Sequence, residues 1–163
     1  MNLEQKIFKP HSQRSFEKIA LEIFQFQARN NKIYKKYLEH LKVDPATIKQ
    51  LSNIIYLPIQ LFKSQEIICE PNNREATFTS SGTGGLSSKH IVHNISIYEK
   101  SFRKGFEYFY GNINDYTILA LLPSYFEKKN SSLIYMCKKL IDYSGKKESG
   151  FYLEEHKDLF KIL

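Results

Sequence analysis

The apolar residues change their period near residue 75, and that switch limits the folds open to this chain more than any other feature. Before it, from Phe16, apolar side chains fall at Ile19, Ala20, Ile23 and Phe24, the spacing of one helix face. Ile33, Tyr34, Tyr37, Leu38 and Leu41 repeat the pattern. Asp44-Pro45 offers an N-cap followed by proline at the first helical position, which predicts a short third helix. Pro58, after Ile54 to Leu57, predicts an extended or turning segment.

Beyond residue 75, short apolar runs alternate with helical faces. Ala76 to Thr79 and His90 to His93 read as strands. Ser96-Ile97-Tyr98-Glu99 fits a capping box, and Tyr98, Phe102, Phe106 and Phe109 line one face of the helix it opens, with Gly111 as its stop. Tyr116 to Leu122 is a nearly continuous apolar run ending at Pro123, the pattern of a strand buried on both faces. Ser131-Ser132 predicts the start of a helix carrying Leu133, Met136, Cys137, Leu140 and Ile141 and ending before Gly145. Phe151 to Leu153 reads as a further strand, and Glu154 to Leu163 as another helix. The expected class is α/β: a helical N-terminal region, 1–70, packing on a sheet, followed by a region of alternating strands and helices, 71–163. Such sheets take ligands at the carboxyl ends of their strands. Two loops qualify, Ser80 to Ser88 and Pro123 to Glu127.

Composition removes several classes. A chain of 163 residues with 42% hydrophobic content, 12 Phe and 11 Tyr can fill a core, and seven Gly with five Pro are too few for a disordered chain. The net charge of +7 would suit nucleic acid, but the lysines are spread along the sequence and no nucleic-acid motif accompanies them, so no nucleic acid is expected as a partner. Met1 to Lys6 lacks the apolar core of a signal peptide, and the run from Ile118 to Pro123 is far short of the ~20 residues that cross a bilayer. Cys69 and Cys137 share no metal or redox spacing. A reduced, cytoplasmic protein without a membrane span is the expectation.

The segment Thr77 to His90 carries the chemistry. It gathers Ser80, Ser81, Gly82, Thr83, Gly84, Gly85, Ser87 and Ser88 before Lys89. Glycine backbone can curl its N–H groups around phosphate oxygens, and hydroxyls and an ammonium add charge-matched donors. Each hydrogen bond to a charged group contributes roughly 1.5–3 kcal/mol. The segment is not a Walker A loop, and no G-x-G-x-x-G occurs. Ser144-Gly145-Lys146-Lys147 lacks the upstream glycine and the hydroxyl after its lysine. From these residues alone, a plain Ser/Gly turn and a phosphate loop both stand.

Thr79-Ser80-Ser81-Gly82-Thr83-Gly84-Gly85 resembles the phosphate loop of adenylate-forming enzymes. With His90, Tyr98-Glu99, Ser101-Phe102, Leu121-Leu122-Pro123-Ser124-Tyr125, Leu57-Pro58-Ile59 and Phe62-Lys63, the chain is similar to the LuxE-like acyl-protein synthetases over most of residues 15–155. The resemblance implies use of ATP with Mg²⁺ to activate a fatty acid or another carboxylate as an acyl-adenylate, release of pyrophosphate, and passage of the acyl group to a thiol, such as that of an acyl-accepting protein. It implies that Ser80, Ser81, Gly82, Thr83, Gly84 and Gly85 hold the phosphates and that Lys89 neutralises charge on the departing pyrophosphate. His90, Ser124, Tyr125 and Glu127 are candidate substrate contacts, with a polar turn the alternative for Ser124 and Glu127.

Three positions depart from the superfamily's pattern. Gly84 replaces a Thr, Ser87 replaces a Pro, and Lys89 lies one residue late. The resemblance covers the N-terminal half of such an enzyme and implies that the later catalytic lysine and acyl-accepting cysteine lie beyond Leu163. Little ligase activity, measured as pyrophosphate release, is therefore expected of these residues alone. The alternative is a non-catalytic truncated remnant or interaction module that keeps the fold and binds an acyl carrier or partner chain. No metal site is expected: His90 and His93 would point to opposite faces of a strand, and His11, His40 and His156 are isolated.

Overall fold

Two polar caps set out the first helices. In the computed structural model, which describes residues 3–9, 12–69, 72–80, 87–123, 129–153 and 156–162, a short α1 (Leu3–Lys6) precedes α2 (Gln13–Asn30). The Ser12 hydroxyl caps α2 by accepting from the Ser15 N–H. Asn31 serves two helices: its backbone N–H donates to the Gln27 carbonyl, and its side chain accepts from the Tyr34 N–H to open α3 (Lys32–His40). Phe24 and Ala28 of α2 pack on Tyr34 and Leu38 of α3, with Leu38 1% exposed. The Tyr34 hydroxyl donates to the Ile55 carbonyl. Its burial, with smaller contributions from Tyr56 and Tyr37, pushes the phenol up to about 12.

Asp44 caps as expected, accepting from the Ala46 N–H at 2.9 Å, but the helix is a single 3-10 turn, Pro45–Thr47. Ile48 turns extended and packs with Ile54 and Leu57 against the α2–α3 core. Packing thus overrides the local helical signal. A second 3-10 turn, Leu51–Asn53, and the extended segment to Pro58 lead to α4 (Leu61–Ser64).

β1 (Ala76–Thr79) and β2 (Lys89–Val92) are neighbours in a two-stranded sheet. The Glu75 N–H donates to the Val92 carbonyl at 3.0 Å, so the start of one strand meets the end of the other. Helix α5 (Ile95–Tyr110) begins one residue before Ser96, which puts Asn94 at the boundary and Ser96 inside the first turn. Asn94 is itself a favoured capping residue type, and the expected box Ser96 to Glu99 does not mark the start of the helix. Gly111, at φ +85°, ends α5, its N–H reaching the Glu107 carbonyl. Phe109 leaves the expected apolar face and is 76% exposed; Tyr110 contacts Phe106 instead.

The apolar run 116–122 yields only β3 (Leu119–Ala120), paired in parallel with β4 (Gly150–Phe151) in the register Leu119 with Gly150. Ala120 is buried, but Leu121 is 54% exposed, so the run is not covered on both faces. Hydrophobicity drew the strand in sequence; its single partner among the described residues limits it in space. Helix α6 (Ser132–Ser144) lies between β3 and β4, capped by Ser131 and ended by Gly145 at φ +63°. Its buried apolar residues are Ile134 and Leu140; Leu140 lies on the expected face, while Leu133 is exposed and Ile134 is buried beside it. Helix α7 is His156–Ile162. The class is α/β.

The chain divides into two units, Met1–Thr77 with Ser81–Asn94, and Phe78–Ser80 with Ile95–Leu163. Among the described residues, no helix is long and apolar enough to cross a membrane.

Candidate functional site

The Ser/Gly segment connects β1 to β2. At its first end, in the second unit, Phe78 is 5% exposed and its ring lies 5.2 Å from that of Tyr98 and 5.6 Å from that of Tyr135. The Thr79 N–H donates to the Asn130 carbonyl at 2.9 Å, and the exposed Ser80 follows. This bond ties the first end of the Ser/Gly segment to Asn130, which lies beyond the second expected ligand loop, Pro123 to Glu127.

At the far end, in the first unit, Ser87 and Ser88 are half-buried and Lys89 is exposed at the start of β2. The nearby acid is already engaged: Arg74 donates to both oxygens of Glu66, at 3.0 and 2.6 Å. Those bonds hold the Glu66 carboxyl below its ordinary value, with Lys89 adding only a smaller, longer-range field. Among the described residues, Lys89 has no contacting acid to neutralise it, as an ammonium that meets phosphate requires. His90 is solvent-exposed on one side, but Phe62 stacks over its ring at 6.0 Å and 22°. Desolvation lowers its pKa and favours the neutral imidazole, which can both donate and accept a hydrogen bond. Ser81, Gly82, Thr83, Gly84, Gly85, Ser124, Tyr125 and Glu127 lie outside the described residues.

One polar cluster escaped the sequence reading. Glu99 of α5 accepts from the Tyr135 hydroxyl at 2.5 Å and the Tyr143 hydroxyl at 3.4 Å, and pairs with the Lys139 ammonium at 2.8 Å. Burial raises the Glu99 pKa, but these partners outweigh it and hold the carboxyl below its ordinary value. The Lys139 pKa rises, chiefly through its bond to Glu99. The signal was present as a four-residue spacing: Tyr135, Lys139 and Tyr143 share one face of α6. Arg103 adds a cation over the Tyr143 ring at 5.3 Å.

The cysteines stay apart from this chemistry. The Cys69 thiol donates to the Gln27 amide oxygen, and burial pushes the Cys137 thiol up, away from a reactive thiolate. An open cleft beside α2, lined by Glu17, Leu21, Lys49, Leu51 and Tyr56 among others, contains none of the expected site residues.

The described ends of the Ser/Gly segment are thus an exposed Ser80 after β1 and an exposed Lys89 at the start of β2. The chain belongs to the LuxE acyl-protein synthetase family: that family's model matches residues 7–158, nearly the whole length. The reaction of this family joins an acyl group to a protein and is in general ATP-dependent. Neither the curated proteins nor the solved structures gave a match.

Proposed function

We propose that this chain supplies the phosphate-holding region of an acyl-protein synthetase that activates a long-chain fatty acid with ATP. The observation that carries the reading is the family match over a chain whose Ser/Gly segment joins two hydrogen-bonded strands. In this reading 71–163 is the nucleotide region and 1–70 its helical support. Ser80, Ser81 and Thr83 offer hydroxyl donors to the phosphates, and Gly82, Gly84 and Gly85 let backbone N–H groups approach them. Mg²⁺ arrives with the nucleotide, held by its phosphates.

The fatty-acid carboxylate attacks the α-phosphorus, the bond to pyrophosphate breaks, and an acyl-adenylate results. An acceptor thiolate then takes the acyl group and AMP leaves. Lys89 stabilises the negative charge that develops on pyrophosphate, and its exposed ammonium contacts no acid among the described residues. Neutral His90 and the residues Ser124, Tyr125 and Glu127 contact the carboxylate side. We place the reaction in the cytoplasm, with an acyl-accepting protein as partner.

Ligand-dependent thermal shift tests this assignment, since a ligand that binds only the folded state raises the melting temperature. ATP–Mg²⁺ and pyrophosphate–Mg²⁺ should each stabilise the chain, and AMP should do so much less. Lys89→Ala should weaken pyrophosphate binding by roughly tenfold or more, the loss of one charge-assisted bond. Equal responses to AMP and pyrophosphate, or an unchanged response in Lys89→Ala, would remove the phosphate role.

A further inference from the structure

We propose that Tyr98 is a positioning residue for the Ser80 end of the loop, acting on nucleotide affinity without touching nucleotide; this rests on the phosphate reading above. Tyr98 stands on α5, and its ring contacts Phe78, the buried residue of β1. Its hydroxyl donates to the Ser132 carbonyl at 3.1 Å. Three consecutive residues at the start of α6 are thereby fixed. Asn130 accepts from the Thr79 N–H, the Ser131 hydroxyl accepts from the Ile134 N–H, and Ser132 accepts from Tyr98.

The next residue on α5 completes the bracket, because Glu99 accepts from the Tyr135 hydroxyl and Tyr135 packs on Phe78. The strand end, the helix α5 and the first turn of α6 hold one another through a ring of Phe78, Tyr98 and Tyr135. Ser80 begins where this bracket ends. A phosphate ligand must find its donors already in place, since ordering them on binding costs affinity. Loosening Tyr98 therefore releases the Thr79 amide and the 130–132 turn together, and the Ser80 donor with them.

Amide hydrogen exchange on the full chain decides this without any ligand. Tyr98→Phe keeps the ring and removes only the hydroxyl. Tyr152→Phe serves as the control, since it removes a part-buried hydroxyl that donates to the Glu148 carbonyl, outside the bracket. In Tyr98→Phe the Thr79 amide and those of 130–133 should exchange roughly three- to tenfold faster together, the factor carried by one neutral hydrogen bond. The ATP–Mg²⁺ dissociation constant should rise by a similar factor, with a melting temperature no lower than that of Tyr152→Phe. A Thr79 amide that responds no more in Tyr98→Phe than in the control refutes the bracket, whatever nucleotide does. A responding amide in a chain that binds no ATP–Mg²⁺ retains the bracket and refutes the nucleotide reading.

Discussion

Burial would raise the pKa of Glu99, yet its two phenols and the Lys139 ammonium hold the carboxyl charged. A group whose folded pKa lies below its unfolded one stabilises above the unfolded value and loses that contribution as pH falls through the folded one. The chain should therefore lose stability as pH drops below the ordinary carboxylate value of 4.5. Glu99→Gln should cost about 1–3 kcal/mol at neutral pH, because Lys139 and the two phenols lose a charged acceptor in a partly buried setting. It should also flatten the pH dependence in that acid window; denaturant melts at several pH values check both. At this scale, Lys89 and His90 were legible as single residues in the sequence. Their condition was not: neither the Arg74–Glu66 pair that engages the acid near Lys89 nor the Phe62 ring over His90 follows from local pattern, since the partners lie 15 or more residues away.

Helix ends were the most legible elements, because their cause is local. Gly111 and Gly145 both take positive φ and both end helices, and Ser131 caps α6. Open space surrounds the Gly145 Cβ position, so any penalty for a side chain there comes from backbone conformation alone. Gly145→Ala should lower stability by roughly 1 kcal/mol without changing the fold, measurable by thermal denaturation and circular dichroism. What failed were readings that depend on a partner. The helix expected to open at Ser96 starts at Ile95, the Asp44 helix stopped after one turn when Ile48 joined the core, and Ile134 is buried at the start of α6 where Leu133 was expected. The long apolar run at 116–122 shrank to two strand residues because pairing, unlike hydrophobicity, needs a second strand.

At the scale of the whole molecule, the order of elements and the α/β class were visible in the change of apolar period at residue 75. The family was visible in the residues flanking the loop, and its match to 7–158 places the chain among acyl-protein synthetases. The Glu99 cluster and the Phe78–Tyr98–Tyr135 bracket were not visible, because each joins positions 20 or more residues apart through side chains that read separately as core or surface. The central claim is that the Ser/Gly connection binds the phosphates of a nucleotide. Titration calorimetry with ATP–Mg²⁺ on the wild-type chain and on Gly82→Val tests it most directly. Saturable binding by the wild type, lost when valine replaces Gly82, is the predicted result. No binding by the wild type, or equal binding by both proteins, would contradict it.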